Sequence, residues 1–191
     1  MTEFLVDGPH AARWTYVFAH GAGGPMRSAF MAEIARGIAA AGIRVVRFEF
    51  PYMAEKRKRP DPQPVLLDTF RTVVRELGGA KSMVIGGKSM GGRMASMVAD
   101  ELGVAGLLVF GYPFHPPGQP QKTRTAHLED LRTRAMIVQG ARDAFGTPND
   151  VKSYELSSTI SIEWIEGGDH SLKGGLTRAI EIGVKFITSI S

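Results

Sequence analysis

Residues 82–96 read SMVIGGKSMGGRMAS, an apolar run that ends in glycines and reopens at once as a helix-forming segment. Its centre, Gly87-Lys88-Ser89-Met90-Gly91, is a G-x-S-x-G pattern set between a strand and a helix. This is the sequence form of a sharp turn that lifts a serine hydroxyl off the end of a sheet. The turn brings backbone close to the positions two before and two after the serine, and glycine at both removes the collision a side chain would make. Gly87-Lys88-Ser89 also matches the tail of a phosphate-binding loop, G-x-x-x-x-G-K-[ST]. There the first glycine would fall on Ser82, and residues 83–86 read as strand rather than as an anion-cradling loop. A nucleotide-dependent enzyme is therefore disfavoured.

Outward from this turn, short β-branched runs alternate with longer segments of helical period, which argues for an α/β protein with a parallel sheet. Strands are expected at Phe4–Val6, Trp14–Ala19, Ile43–Phe50, Met83–Gly86, Gly106–Phe110, Ala135–Gln139 and Ser161–Ile165. A helix over Ser28–Ala41 is stopped by Gly42. Another, over Pro64–Leu77, carries Leu66, Phe70, Val73, Val74 and Leu77 on one face, and a proline-rich loop precedes it. Helices over Met90–Leu102 and Gly175–Ile190 follow, with a short one closing near Asp130 and another opening at Thr147-Pro148. Residues 1–191 thus read as a single domain built on a doubly wound, mostly parallel sheet.

Composition narrows the chemistry. The chain has no cysteine, which excludes disulfides, thiolate metal sites and a cysteine nucleophile. No apolar run is long enough to span a bilayer and the first residues lack the pattern of a secretory signal, so the expected location is cytoplasmic. The net charge of +4 is modest and no long basic helix or tail is present, so no nucleic-acid partner is expected. The one concentrated run, Lys56-Arg57-Lys58-Arg59, reads as a solvated loop, the alternative being a contact with an acidic substrate or partner.

An activated serine needs a base to take its proton and a carboxylate to orient that base, in the chain order Ser, Asp, His on this topology. After the strand ending at Gln139 comes Gly140-Ala-Arg-Asp143, and after the last strand comes Gly167-Gly-Asp-His170. Ser89, Asp143 and His170 are therefore the candidate catalytic residues. Asp169 is placed to brace the histidine loop, Asp150 falls inside a helix, and His115 precedes the acid rather than following it. Developing charge on a reacting carbonyl oxygen would meet the amide of Met90 and an amide of the glycine-rich loop 20–24, with Ala22 ahead of Gly23. His20 is read as an anchor of that loop. No metal or cofactor is required by this chemistry.

With these motifs in view, the chain resembles the α/β-hydrolase superfamily over nearly its full length. The segments HGAGGPM, FPYM with KRPDP, GKSMGGR, GYPFHPPG, QGARDAFG and GGDHSL together resemble a small cap-less group related to dienelactone hydrolases. Dienelactone hydrolases carry cysteine at the elbow where this chain has Ser89, so their lactone specificity is not implied. The resemblance implies a serine hydrolase acting on a carboxylic ester or thioester of a small molecule. The same machinery with another acceptor gives an acyltransferase or perhydrolase, and the same core also occurs in non-catalytic scaffold subunits. Only residues 111–134 separate two strands where such folds insert lids, so an open site is expected. Tyr52, Tyr112, Phe114 and His115, with His20 and Lys88, follow strand ends and are candidate pocket residues. Lys88, Arg27 and the run 56–59 would place positive charge near its mouth.

Overall fold

The computed structural model of the chain describes residues 2–190. Seven strands form one sheet: β1 (Phe4–Asp7), β2 (Thr15–Ala19), β3 (Arg44–Phe48), β4 (Met83–Lys88), β5 (Gly106–Phe110), β6 (Ala135–Gly140) and β7 (Ile160–Ile165). Their spatial order is β1-β3-β2-β4-β5-β6-β7, parallel throughout except for β1, which pairs antiparallel to β3 at the edge. The chain moves outward from β2 to β3 and then returns to lay β4 on the other side of β2. The order therefore reverses between β2 and β4, and the crevice at the carboxyl ends of those two strands is where an open sheet of this kind accommodates a ligand.

The long helices are α1 (Ala29–Ala39), α3 (Gln63–Glu76), α4 (Met90–Leu102) and α6 (Leu176–Thr188), with short helices α2 (Pro51–Ala54) and α5 (Pro148–Val151). Each long helix buries one stripe. Leu66, Phe70, Val73 and Val74 of α3 join Met94, Ala95, Val98 and Ala99 of α4 on one face of the sheet. Met31, Ile34, Ala35 and Ile38 of α1 join Ala179, Ile182, Phe186 and Ile187 of α6 on the other. The central strands are apolar on both sides because both faces are covered. Among the described residues no helix is long and apolar enough to cross a membrane.

The sequence reading differs from the structure at short elements. The strand expected over Ile43–Phe50 ends at Phe48, and the proline-rich loop opens with α2. Pro51 sits at its first turn, where a fixed φ and a missing N–H cost nothing. The helix closing near Asp130 is a single 3₁₀ turn, Ala126–Leu128, and is the only helical element between β5 and β6.

Candidate active site

Ser89 stands between the last residue of β4 and the first of α4 with φ 50° and ψ −113°, a conformation that L-residues rarely hold. Strain of this kind costs on the order of 1–3 kcal/mol and persists only where the surroundings enforce it. The enforcement is steric. A Cβ on Gly87 would lie 2.5 Å from the carbonyl oxygen of Ala19 and 2.7 Å from the backbone of Gly91 and Gly92. A Cβ on Gly91 would lie 2.5 Å from the His20 oxygen. Both glycines let α4 press against the end of β2, and the serine between them is pushed outward.

Asp143 is fully buried beyond β6, and His170 lies on the loop after β7. The His170 Nδ1 is 2.7 Å from Asp143 Oδ2, and its Nε2 is 2.9 Å from Ser89 Oγ. Asp143 also accepts the Phe145 N–H on Oδ1 at 2.8 Å and the Gln139 side-chain amide on Oδ2 at 2.9 Å. A carboxylate acting only as acceptor makes Nδ1 the donor, so Nε2 of a neutral imidazole presents its lone pair to the serine hydroxyl. The Phe145 ring packs on the imidazole with centroids 4.3 Å apart. Asp169 braces the same loop by accepting the N–H groups of Ser171 and Lys173, and these bonds hold its carboxyl below its ordinary range.

A cavity of about 450 Å³ opens over this array, lined by Gly21, Ala22, Gly23, Gly24, Ser28, Phe30, Met31, Lys88, Ser89, Phe145, His170 and Ser171. Among the described residues the N–H groups of Ala22, Gly23 and Met90 have no hydrogen-bond partner. The Met90 N–H is one of the unsatisfied donors at the start of α4. Loop 20–24 is held from behind. The fully buried His20 accepts the Phe50 N–H on Nε2 at 3.1 Å, which leaves Nδ1 to donate to Gly21 O at 2.7 Å. Burial lowers the basicity of this imidazole. The Tyr52 hydroxyl donates to Ala22 O at 2.9 Å, and burial chiefly raises its pKa to about 12.

Four candidate pocket residues are thereby corrected. Tyr52, Tyr112 and Phe114 are wholly buried and His115 nearly so, and none lines the cavity over Ser89. Tyr112 sends its hydroxyl to Arg124 O, Phe114 packs under Gly146, and His115 Nδ1 donates to Pro116 O with Nε2 3.5 Å from Asp150. Loops leaving a strand end can fold under the sheet edge as readily as over it, and these fold under to close the core. His20 is corrected in the same way, as a support rather than a wall. Lys88 does line the cavity. Its Nζ donates to the His170 carbonyl and lies 5.4 Å from the Phe30 ring centroid. Burial brings the ammonium down to about 8, against the opposing pull of Asp143 and Asp169.

Sequence reasoning missed Phe30, Phe145 and Ser28 as lining residues, and Gln139 as a partner of Asp143. Gln139 carried a signal: a polar residue inside an otherwise apolar strand must find hydrogen bonds when buried.

The comparisons agree with this architecture. The model of a family described as alpha/beta hydrolase domain matches residues 12–179. An alpha-beta serine hydrolase homologue from Coxiella burnetii superposes with a TM-score of 0.80 at 21% identity, over 97% of this chain and 91% of that one. A serine hydrolase without a lid from Xanthomonas campestris gives 0.78 at 20% identity, over 97% and 88%. Est1E from Butyrivibrio proteoclasticus, solved with ferulic acid, gives 0.79 at 13% identity, over 99% and 95%. At these identities the structures speak for the fold alone, while the match over residues 12–179 takes in β2, the serine turn and the loops bearing Asp143 and His170. The chain belongs to the alpha/beta hydrolase domain family.

Proposed function

We propose that this chain is a serine hydrolase acting on a carboxylic ester or thioester of a small substrate. The observation that carries the reading is the unbroken chain from buried Asp143 through His170 to a Ser89 held in a strained turn. Ser89 Oγ attacks the carbonyl carbon while His170 Nε2 takes its proton, and Asp143 stabilises the imidazolium that forms. The carbonyl oxygen, now negative, faces the unpaired N–H groups of Met90 and of Ala22 or Gly23. His170 returns the proton to the leaving oxygen or sulfur, leaving an acyl group on Ser89. Water, deprotonated by the same imidazole, then releases the acid.

Among the described residues no lid element stands between β5 and β6, so water reaches the cavity and is the acceptor of the proposed reaction; an alcohol or peroxide in its place would make the chain an acyltransferase or perhydrolase. A scaffold protein on the same fold would have no physical use for a strained serine aligned on a histidine. Labelling with a fluorophosphonate, read by intact mass, tests the proposal on wild type, Ser89→Ala and His170→Ala. One adduct on wild type alone is expected. No adduct on any of the three would reject an activated serine.

A further inference from the structure

A second cleft, of about 720 Å³, lies on the far side of the glycine-rich loop and shares Ala22 and Gly23 with the cavity over Ser89. A carbonyl whose oxygen faces the Ala22 amide therefore has a direct path over that loop into it. The cleft walls include Glu3, Arg27, Glu49, Lys56, Arg57 and Lys58. Half of these six charges are already paired. Arg27 pairs with Glu3 at 2.6 Å and Arg57 with Glu55 and Asp61 at 2.7 Å each, while Glu49 accepts only the neutral Met26 N–H. Among the described residues Lys56 and Lys58 have no acidic partner, so they are the cations of the cleft left free to meet an anionic group.

The loop that carries them is fixed in shape. Asp61 accepts the Tyr52 N–H at 2.8 Å while holding Arg57, and the Arg57 N–H returns to Tyr52 O at 2.7 Å. Lys56 sits at φ 58°, one of three non-glycine residues at positive φ among the described residues. Ser89 is the nucleophile of the proposed reaction, and Leu172 is wholly buried, its side chain anchored in the core. Lys56 is exposed and has neither justification. Glycine would adopt this conformation without strain, so a lysine there points to use of the side chain.

We propose that the substrate carries an anionic arm, a carboxylate on the acyl or the leaving-group side, that crosses the 20–24 loop and is held in this cleft by Lys56 and Lys58. The inference rests on the hydrolase reading and gives it a substrate class. The test compares kcat/KM for the anionic esters mono-4-nitrophenyl glutarate and 3-acetoxybenzoate with that for their neutral counterparts 4-nitrophenyl butyrate and phenyl acetate, in wild type and a Lys56→Gln/Lys58→Gln double variant. Wild type is expected to favour one of the anionic esters by about tenfold or more over its neutral counterpart, an advantage that shrinks with added salt and collapses toward unity in the double variant. Turnover of neutral esters with no anionic preference would overturn the inference and leave the hydrolase reading standing. A preference that survives in the double variant would overturn the assignment to this cleft. Failure to turn over any ester, together with no fluorophosphonate adduct, would overturn the hydrolase reading and the inference with it.

Discussion

Gln139 gives the sharpest handle on the site, because it touches Asp143 without touching substrate. Its Oε1 accepts the Tyr112 N–H at 2.7 Å, and its Nε2 faces Asp143 Oδ2 at 2.9 Å and the carbonyls of Tyr112 and Gly146 at 3.2 and 3.3 Å. Flipping the amide would set oxygen against three oxygens, so the orientation is forced. Gln139→Leu removes a hydrogen bond to a charged group, worth about 1.5–3 kcal/mol, and strands the buried Tyr112 N–H at a further cost of about 1–3 kcal/mol. A stability loss of about 2.5–6 kcal/mol is expected in urea unfolding. With Asp143 freer to rotate, kcat/KM on 4-nitrophenyl acetate should fall about 10- to 100-fold, equivalent to about 1.4–2.7 kcal/mol of transition-state stabilisation. Gln139→Glu separates the two effects. It keeps the acceptor for Tyr112 and nearly the same volume, but two carboxyl groups so close must share a proton, which weakens Asp143 as the partner of His170. Activity should then fall at least as far as in the leucine variant while more stability is kept. Activity within about threefold of wild type in both variants would refute the claim that Gln139 orients the acid.

Two further outcomes follow from strained and buried groups elsewhere, beside those already set out for Ser89 and for the lysine pair. Lys56→Gly should relieve the left-handed strain, leaving stability unchanged or raised by up to about 1 kcal/mol while reducing any preference for anionic esters; a clear loss of stability in urea unfolding would contradict the strain argument. His127 should make the fold acid-sensitive. Its Nε2 lies 2.8 Å from Ser96 Oγ, whose own proton goes to Arg93 O, so Nε2–H is the donor. Burial, then the Arg93 charge, brings its pKa to about 4 from an ordinary 6.5. The unfolded chain thus binds the proton more readily, and stability present above pH 6.5 is lost as pH falls toward about 4. Unfolding curves across that window should show the decline in wild type and a shallower one in His127→Gln, and equal slopes would exclude His127 as its source.

What was legible in the sequence was what sterics and periodicity encode locally. The glycines at 87 and 91 announced the turn because any Cβ there would strike the end of β2. The four long helices showed themselves by apolar stripes, and the strands by short buried runs. The chain order of Ser89, Asp143 and His170 followed from strand ends alone. By contrast α2 spans only Pro51–Ala54, too few residues for a period to register. The pocket walls failed for a different reason. Following a strand end places a residue at the correct edge of the sheet but leaves its side free, and Tyr52, Tyr112, Phe114 and His115 turned inward to finish the core. Phe30 and Phe145, which do line the cavity, stand on a helix face and on a loop beyond the acid, and only the assembled packing of α1 against the histidine loop brings them together.

The residues behind the site have a common logic, which is to remove choices. His20 has two ring nitrogens and two neighbours that admit one tautomer, and with Tyr52 it ties the carbonyls of Gly21 and Ala22 away from the cavity so that the loop's N–H groups stay unspent. Gln139 fixes which oxygen of Asp143 faces His170, and that oxygen fixes which nitrogen of His170 carries hydrogen. Lys88 holds the His170 carbonyl, and Phe145 covers the ring. Each step converts a rotatable or ambiguous group into one with a single allowed direction, so in the proposed reaction the Ser89 hydroxyl would meet a lone pair without reorganisation. That is why positions far less conspicuous than the serine should govern rate. An apolar substitution at Gln139 or Tyr52 leaves Ser89 and His170 themselves unchanged and is expected to cost activity by restoring a freedom the fold had taken away.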